Sequence, residues 1–491
     1  MSQRFSMFIH AKRVSYSLLC LFGFALFMSA CSHKDALGEF NTLYYEKAHT
    51  EQAYEYAKSQ AGKEGDVLWN LQAGVSGFDA KAQDTHEILQ SGEELFSKYE
   101  GEGLLGGLFS NAGAVLVNEN VKSYRGNIYE GVAYNYYKAL YAMSKGDYAL
   151  ARVEFNRAND RQRRAKDYFR KDIGKAMEEV DKEKSSDEKL HNVDANQPGI
   201  ASILESQYSN LGKFAAYNGF INPAVSYVSA LFFMSEGDYS KATDLYKESY
   251  GITNSYVASQ DLKVIDQRRK GNKSTYTWFI IEEGQSASLE ELSIDLPAFL
   301  VSSSVLHVGA SIPKFKEGVS TGDTYRAVSF DQTKEKQYVA FEVGDIDGVI
   351  ANEFKGKLPF IVTRAVTSAI LKATAQVALN KVGEDQFGAT GALVGSLVGA
   401  AYSAATNNAD IRIATALPKR VLALQVPNEF SDFALQAGDD TLYNVEFSCQ
   451  KDEGAEKKAQ NVIVLCNKHD NILYLRLKGR VPSYQILKGG I

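Results

Sequence analysis

The sequence predicts an α+β fold. An irregular helical array over residues 37–265 precedes a β-rich domain over 275–491, which carries a helical hairpin at 358–405. Three observations predict it. A helix–turn–helix unit occurs twice, at 134–158 and 225–249. The hydrophobic period changes from helical to two-residue after the polar stretch Asp266–Ser274. A charge-free run with glycine at every fourth position then interrupts the strand pattern between 389 and 405.

Taken in order, the chain opens with basic residues Arg4, Lys12 and Arg13. An uncharged run, Val14–Met28, follows, with Leu18, Leu19, Leu21, Phe22, Phe24, Leu26 and Phe27 as its apolar content. Small residues Ser29-Ala30 then precede Cys31. A basic flank, a short apolar run and small residues form the pattern of a secretory signal over 1–30. The step Met28-Ser29-Ala30-Cys31 resembles the lipobox of bacterial lipoproteins, with Met28 standing where leucine is usual. The resemblance implies cleavage before Cys31, lipidation of that cysteine with acyl chains such as palmitate, and a lipid-anchored tether at 31–36. At ~0.8 kcal/mol per buried CH₂, three chains hold a protein on a bilayer in practice permanently. An uncleaved helix and a soluble secreted form are the alternatives, although the run is short of the ~20 residues a span needs. Ser32 rather than aspartate after the cysteine implies, by the same resemblance, the periplasmic face of the outer membrane.

Composition bounds the rest. With 45% hydrophobic and 23% charged residues, the 491-residue chain is ordinary globular material. Its net charge is −6, and removal of the +3 carried by residues 1–30 leaves −9. That balance argues against nucleic acid, which selects basic domains. Tyr and Phe are abundant (28 and 26) and Pro scarce (8), which suits packed helices with aromatic knobs. Of four cysteines, Cys20 leaves with the signal and Cys31 is the lipidation site. Cys449 and Cys466 end two strand-like runs, and a hairpin of those runs would bring their thiols into reach. In an oxidising compartment they read as a disulfide. With only His469 nearby they are too few for a metal site, and no metal or other cofactor is expected.

In the helical array, Met143, Gly146, Asp147-Tyr148 and Ala151 match Met234, Gly237, Asp238-Tyr239 and Ala242. Each first helix ends at a glycine that tolerates the left-handed cap. Asp147 or Asp238 then caps a second helix, and the alanine lets the pair lie close. A weaker copy runs from Leu68 to Leu89, with Gly77 expected at the turn. The unit resembles the helix–turn–helix of tetratricopeptide repeats, although its spacing of 91 residues is far from the ~34 of that family. Such arrays present extended binding surfaces. Tyr134, Tyr137 and Tyr141 are accordingly candidates to line a partner-binding groove, and a plain helical spacer is the alternative. Arg157, Arg161, Arg163, Arg164, Lys166, Arg170 and Lys171 form a basic cluster that suits either an anionic partner or a solvated helix face.

Beyond residue 275, strands are expected at Tyr276–Ile281, Leu289–Leu296, Val305–Ala310, Tyr338–Val343, Arg420–Val426, Leu442–Cys449, Val462–Cys466 and Ile472–Leu477. Leu358–Asn380 reads as a helix. Within the following uncharged run, Gly391, Gly395 and Gly399 stack bare backbone on one face. That face suits packing on the protein's own sheet, helix-mediated association including a homo-oligomer, or membrane insertion.

Several segments together resemble one family. They are the lipobox, Tyr129-Glu130, Ala151-Arg152-Val153-Glu154, Trp278–Gly284, Arg364–Lys372, and Ala409-Asp410-Ile411-Arg412 with Leu417-Pro418. They look like a family of Gram-negative outer-membrane lipoproteins with tetratricopeptide-like helices, with Ala414 standing where that family has an aromatic. The resemblance implies cell-envelope biogenesis as the setting and envelope proteins as partners. It brings no catalytic residues. The seven histidines are scattered, and no zinc-protease, nucleophile-elbow or P-loop motif occurs. Three readings follow: a lipid-anchored scaffold for protein partners, a structural subunit held by the glycine-rich hairpin, or a peptidoglycan-acting enzyme using acids such as Glu130 and Glu154. The scaffold, without enzymatic activity, is the reading the sequence favours.

Overall fold

The computed structural model describes residues 34–64, 66–105, 123–186, 198–217, 219–296, 308–330, 336–373, 385, 408–450, 461–479 and 482–490. Helix α1 (34–41) runs into a π-helical turn at Thr42–Glu46. It is followed by α2 (Thr50–Glu64), α3 (Val67–Asp79), α4 (Thr85–Glu102), α5 (Ile128–Ser144), α6 (Tyr148–Ser186), α7 (Pro198–Tyr208), α8 (Pro223–Ser235), α9 (Tyr239–Thr253) and α10 (Tyr256–Arg269). From α2 to α6, and again from α8 to α10, each helix packs on the next, and α6 packs on α8 to join the two groups. The hairpins share turn chemistry but not length, running from 13 residues in α3 to 39 in α6.

The turns follow from local chemistry. After α5, Gly146 adopts φ +75°, and the Asp147 N–H donates back to Ala142 O at 2.9 Å. After α8, Gly237 adopts φ +79°, and the Asp238 N–H donates to Phe233 O at 2.8 Å. This is the Schellman closure, which satisfies carbonyls that the helix end leaves bare. Each aspartate then caps the next helix: Asp147 accepts from the Leu150 N–H at 2.9 Å and Asp238 from the Lys241 N–H at 3.3 Å. Ala151 and Ala242 are fully buried between the paired helices. The weaker third copy also exists, with a correction. Gly77 lies inside α3, pressed against Tyr54 and Thr85, and the left-handed residue is Lys81 at φ +59°. Its successor, Ala82, donates to Gly77 O at 2.8 Å in the same closure.

The strands are β1 (Tyr276–Glu283), β2 (Ser288–Leu296), β3 (Val308–Lys316), β4 (Tyr325–Ser329), β5 (Gln337–Val339), β6 (Phe341–Asp345), β7 (Arg420–Pro427), β8 (Phe433–Ala437), β9 (Asp440–Phe447), β10 (Val462–Leu465), β11 (Asn471–Leu477) and β12 (Pro482–Lys488). One sheet has the order β12-β11-β1-β7-β6 and a second β10-β9-β8-β4-β5, while β2 and β3 pair as a hairpin. The expected single strand Tyr338–Val343 divides at Ala340, so that β5 serves the second sheet and β6 the first. A further helix, α11 (346–373), begins well before the expected Leu358. The remainder of the expected hairpin, including Gly391, Gly395 and Gly399, lies outside the described residues, as does Cys31. Among the described residues no helix is long and apolar enough to cross a membrane.

The first sheet is apolar on both faces, and its alternation sorts the side chains into two cores. Trp278, Ile280, Val421, Ala423, Ile472 and Tyr474 face the helices. Phe279, Ile281, Leu422, Leu424, Leu473 and Leu475 face the second sheet, meeting Phe433, Leu435, Val445 and Ile463. The helix-side core is continuous from Leu37 to Leu487. The expected division into a helical domain (37–265) and a β-rich domain (275–491) is therefore not how the core divides. The helices and the first sheet bury one another, and the second sheet closes the sandwich behind them.

Candidate functional site

Of the three expected groove tyrosines, two are core residues. Tyr134 is 0% exposed, its hydroxyl bonded to Val67 O, and Gly92 of α4 leaves room for its ring. Tyr137 is 1% exposed and donates to Glu282 at 2.7 Å. The reason is that α5 is covered on every side. Residues 128–140 are all buried, between α3, α4, α6 and the first sheet. Among the described residues no exposed groove runs along 128–140, and of the three tyrosines only Tyr141, near the end of the helix, reaches the surface.

Around Tyr137 lies a buried polar centre. Glu282 of β1 accepts from Tyr136 (3.0 Å), Tyr137 (2.7 Å) and Tyr474 (2.8 Å). Burial pushes its pKa up, while the Arg476 guanidinium opposes the shift. Arg476 is itself fully buried. It donates to Gly284 O (3.0 Å), Glu282 O (3.3 Å), Ala416 O (3.2 Å) and the Tyr45 hydroxyl (3.2 Å). It thereby ties the π-helical turn after α1, the segment before β7 and the first sheet together. Beside Glu282 a cavity of about 20 Å³ has room for roughly one water.

Two further carboxylates sit at the helix–sheet seam. Glu130 accepts from Tyr124 (2.7 and 2.9 Å), the Asn127 N–H (2.8 Å) and the Ala414 N–H (2.8 Å). Asp261 accepts from Tyr227 (2.6 Å), the Trp278 indole (2.9 Å) and Gln425 (2.9 Å). Burial pushes each up to about 7. Glu154 lies elsewhere, accepting from Asn135 (2.7 Å), Arg157 (2.8 Å) and the buried Lys138 (3.1 Å), which also pairs with Glu93 (2.7 Å). Glu130 and Glu154 thus sit in separate, saturated cradles and do not converge on a cleft. The basic cluster also divides. Arg161 is internal, donating to Gly131 O at 2.8 Å, whereas Arg163, Arg164, Lys166, Arg170 and Lys171 lie on the solvent face of α6.

Cys449 and Cys466 form a disulfide with Cα atoms 4.4 Å apart. The expected hairpin is not what joins them. β9 and β10 run parallel, Val445 beside Ile463 and Phe447 beside Leu465, so both cysteines leave the same end of the sheet. A hairpin would have put Cys466 at the far end of its strand from Cys449.

The open surface feature nearest a predicted site residue is a groove of about 370 Å³. Its walls are the α3–α4 turn (Phe78, Lys81, Ala82), the end of α5 (Tyr141, Ser144, Lys145) and β12 (Tyr484, Gln485, Ile486). Lys81 lies over the Tyr484 ring at 5.2 Å and Lys145 over Tyr141 at 5.1 Å. Both ammonium groups are on exposed residues. A second cleft of about 420 Å³ opens where the parallel strands β1 and β11 end, lined by Tyr45, Gln285, Thr321, Asp323, Asp440 and Lys478 among others. Sequence reasoning found Tyr141 but missed Lys81, Tyr484 and β12. The alternation of Tyr484 and Ile486 was the available signal, short and led by a proline. No family model, curated protein or solved structure matches the chain, so its site is read from its own geometry.

Proposed function

We propose that this chain is a lipid-anchored periplasmic scaffold that binds protein partners in cell-envelope biogenesis. The observation that carries the reading is the groove beneath Tyr141, where two helix ends and a sheet edge leave about 370 Å³ open to solvent. The helix–sheet body, pinned by buried polar centres and a disulfide, suits a rigid platform rather than a hinge. The lipobox-like step at Cys31 supplies the anchor and Ser32 the outer-membrane address. The helical hairpins, similar in turn chemistry to tetratricopeptide units, supply the frame.

The test uses the full chain in its native membranes. A photo-crosslinking residue replaces Tyr484 in the groove or, as a control, Phe330 on the exposed surface of the second sheet. A discrete adduct with an envelope protein at 484 and not at 330, together with release from the membrane fraction on Cys31→Ser, is the expected result. No adduct specific to 484, or membrane association unchanged by Cys31→Ser, would overturn it.

A further inference from the structure

The groove under Tyr141 adjoins an unfinished sheet. β12 is the outermost strand of the first sheet. It pairs with β11 on one side, from Pro482 beside Leu477 to Lys488 beside Ile472. Its other side makes no backbone ladder among the described residues. Among the edge strands of the two five-stranded sheets the others are shorter, with five residues in β6, four in β10 and three in β5 against seven in β12, whereas the separate β2–β3 hairpin has nine in each strand. Proteins commonly blunt such edges with proline, lysine or a bulge. Here Pro482 stands at the start, Lys488 at the finish, and a register shift falls beside it at Leu487. Ser483–Leu487 between them carries no charge.

Helix termini frame this edge. Gln485 donates to Phe78 O at the end of α3, and Lys488 donates to Ser235 O at the end of α8. Near these supports α5 also packs on β12, and its end, Tyr141 to Lys145, lines the groove. The side chains of β12 alternate. Ser483 and Gln485 point to the helices, whereas Tyr484 and Ile486 pack with the core between the sheets. Lys81 and Lys145 stand at the groove, each stacked on a tyrosine and neither in an ion pair among the described residues. Two acids, Asp84 and Glu87, lie near Tyr141. Asp84 is held by Lys58, Tyr54 donates to it, and Glu87 is exposed on α4.

From this arrangement we infer that an extended peptide segment of a partner, bearing acidic side chains, adds as a further strand to β12. Its backbone completes the ladder, carboxylates on alternate residues meet Lys81 and Lys145, and the apolar residues between them pack against Tyr484 and Ile486. This is recognition by strand addition, in which backbone hydrogen bonds supply affinity and alternate side chains supply selectivity. A second copy of this chain is the poorer occupant, because edge-to-edge pairing would bring the same lysines together across a two-fold axis.

The inference rests on the scaffold reading, and its test is separable from that one. The probe is a synthetic seven-residue peptide alternating Val and Glu, titrated by fluorescence anisotropy onto the detergent-solubilised full chain. Controls are the Val/Lys counterpart and a Val/Glu peptide N-methylated at alternate residues on its hydrogen-bonding edge. Binding of the Val/Glu peptide is expected to fall at least about tenfold with Lys81→Glu plus Lys145→Glu, both surface changes. It is expected to vanish on N-methylation, and the reversed protein should prefer Val/Lys. Absence of Val/Glu binding, indifference to N-methylation, or indifference to charge reversal would each overturn strand addition. So would a concentration-dependent dimer that Ile486→Pro abolishes and the peptide cannot displace. A groove-specific adduct in cells without peptide binding would leave the scaffold standing and remove the strand. Peptide binding without any cellular adduct would do the reverse.

Discussion

Arg476 makes a quantitative test of what holds the layers together. Its guanidinium bonds three carbonyl oxygens and the Tyr45 hydroxyl, all away from solvent. Arg476→Met keeps much of the volume but strips those acceptors of their donor. A buried acceptor left without a partner costs roughly 1–3 kcal/mol. Glu282 also loses a nearby positive charge that favours its ionised form, and with several acceptors left bare at once the expected loss is about 4 kcal/mol. A competing argument exists: whole buried ionic groups replaced by apolar ones are often neutral. The double variant decides between them. Glu282→Gln keeps oxygen and nitrogen among hydroxyls that can turn to suit, so in the Arg476→Met background it should recover at least about 1 kcal/mol. Urea unfolding followed by the fluorescence of Trp69 and Trp278, both in the helix-side core, measures all four states. A midpoint for Arg476→Met indistinguishable from the parent, or a double variant no better than the single, would refute the reasoning.

Gly146→Ala and Gly237→Ala should each cost about 1 kcal/mol, because the backbone is left-handed there while an added Cβ meets nothing within 4 Å; denaturant midpoints check this, and neutral variants would contradict it. Glu130 and Asp261 hold their protons in the fold up to about 7. Their contribution is complete below the ordinary carboxyl range and is lost as pH rises through about 7. Each should tilt stability down by about 1.4 kcal/mol per pH unit between roughly pH 5 and 6.5, seen as a falling melting temperature over that interval. Reduction of Cys449–Cys466, which closes a loop of 17 residues in sequence, should cost about 3 kcal/mol; melting with and without dithiothreitol reads it, and thiol titration confirms the cleavage.

What the sequence disclosed depended on whether the signal was local. β1 was legible because Trp278–Ile281 is β-prone on both faces, and the turns at Gly146 and Gly237 because glycine marks a left-handed cap. Lys81 takes the same conformation without a glycine, so its turn was misplaced at Gly77. The tyrosines of α5 were misread for a different reason. A helical stripe shows which face is apolar, but not that the polar face will also be covered. In α5, Glu130, Asn135 and Lys138 are buried because partners from α4, α6 and the segment before β7 reach them. The cysteines were correctly paired, yet the parallel relation of β9 and β10 is a long-range choice that no short pattern encodes. β12 escaped notice because its seven residues owe their strand to β11 rather than to their own propensity.

The continuous helix-side core has a temporal consequence. Tyr45 bonds Thr415 across 370 positions, and Arg476 reaches Tyr45 across 431. The first helices can coil as they emerge, but the surface they bury belongs to strands made hundreds of residues later. Until β11 and β12 arrive, α1, α3 and α5 present an unfinished apolar wall to whatever surrounds them. Contacts at such separation are won late and slowly. A chain built this way stays open until β11 and β12 have been made, and it is in that interval, rather than in the folded state, that it most needs protection.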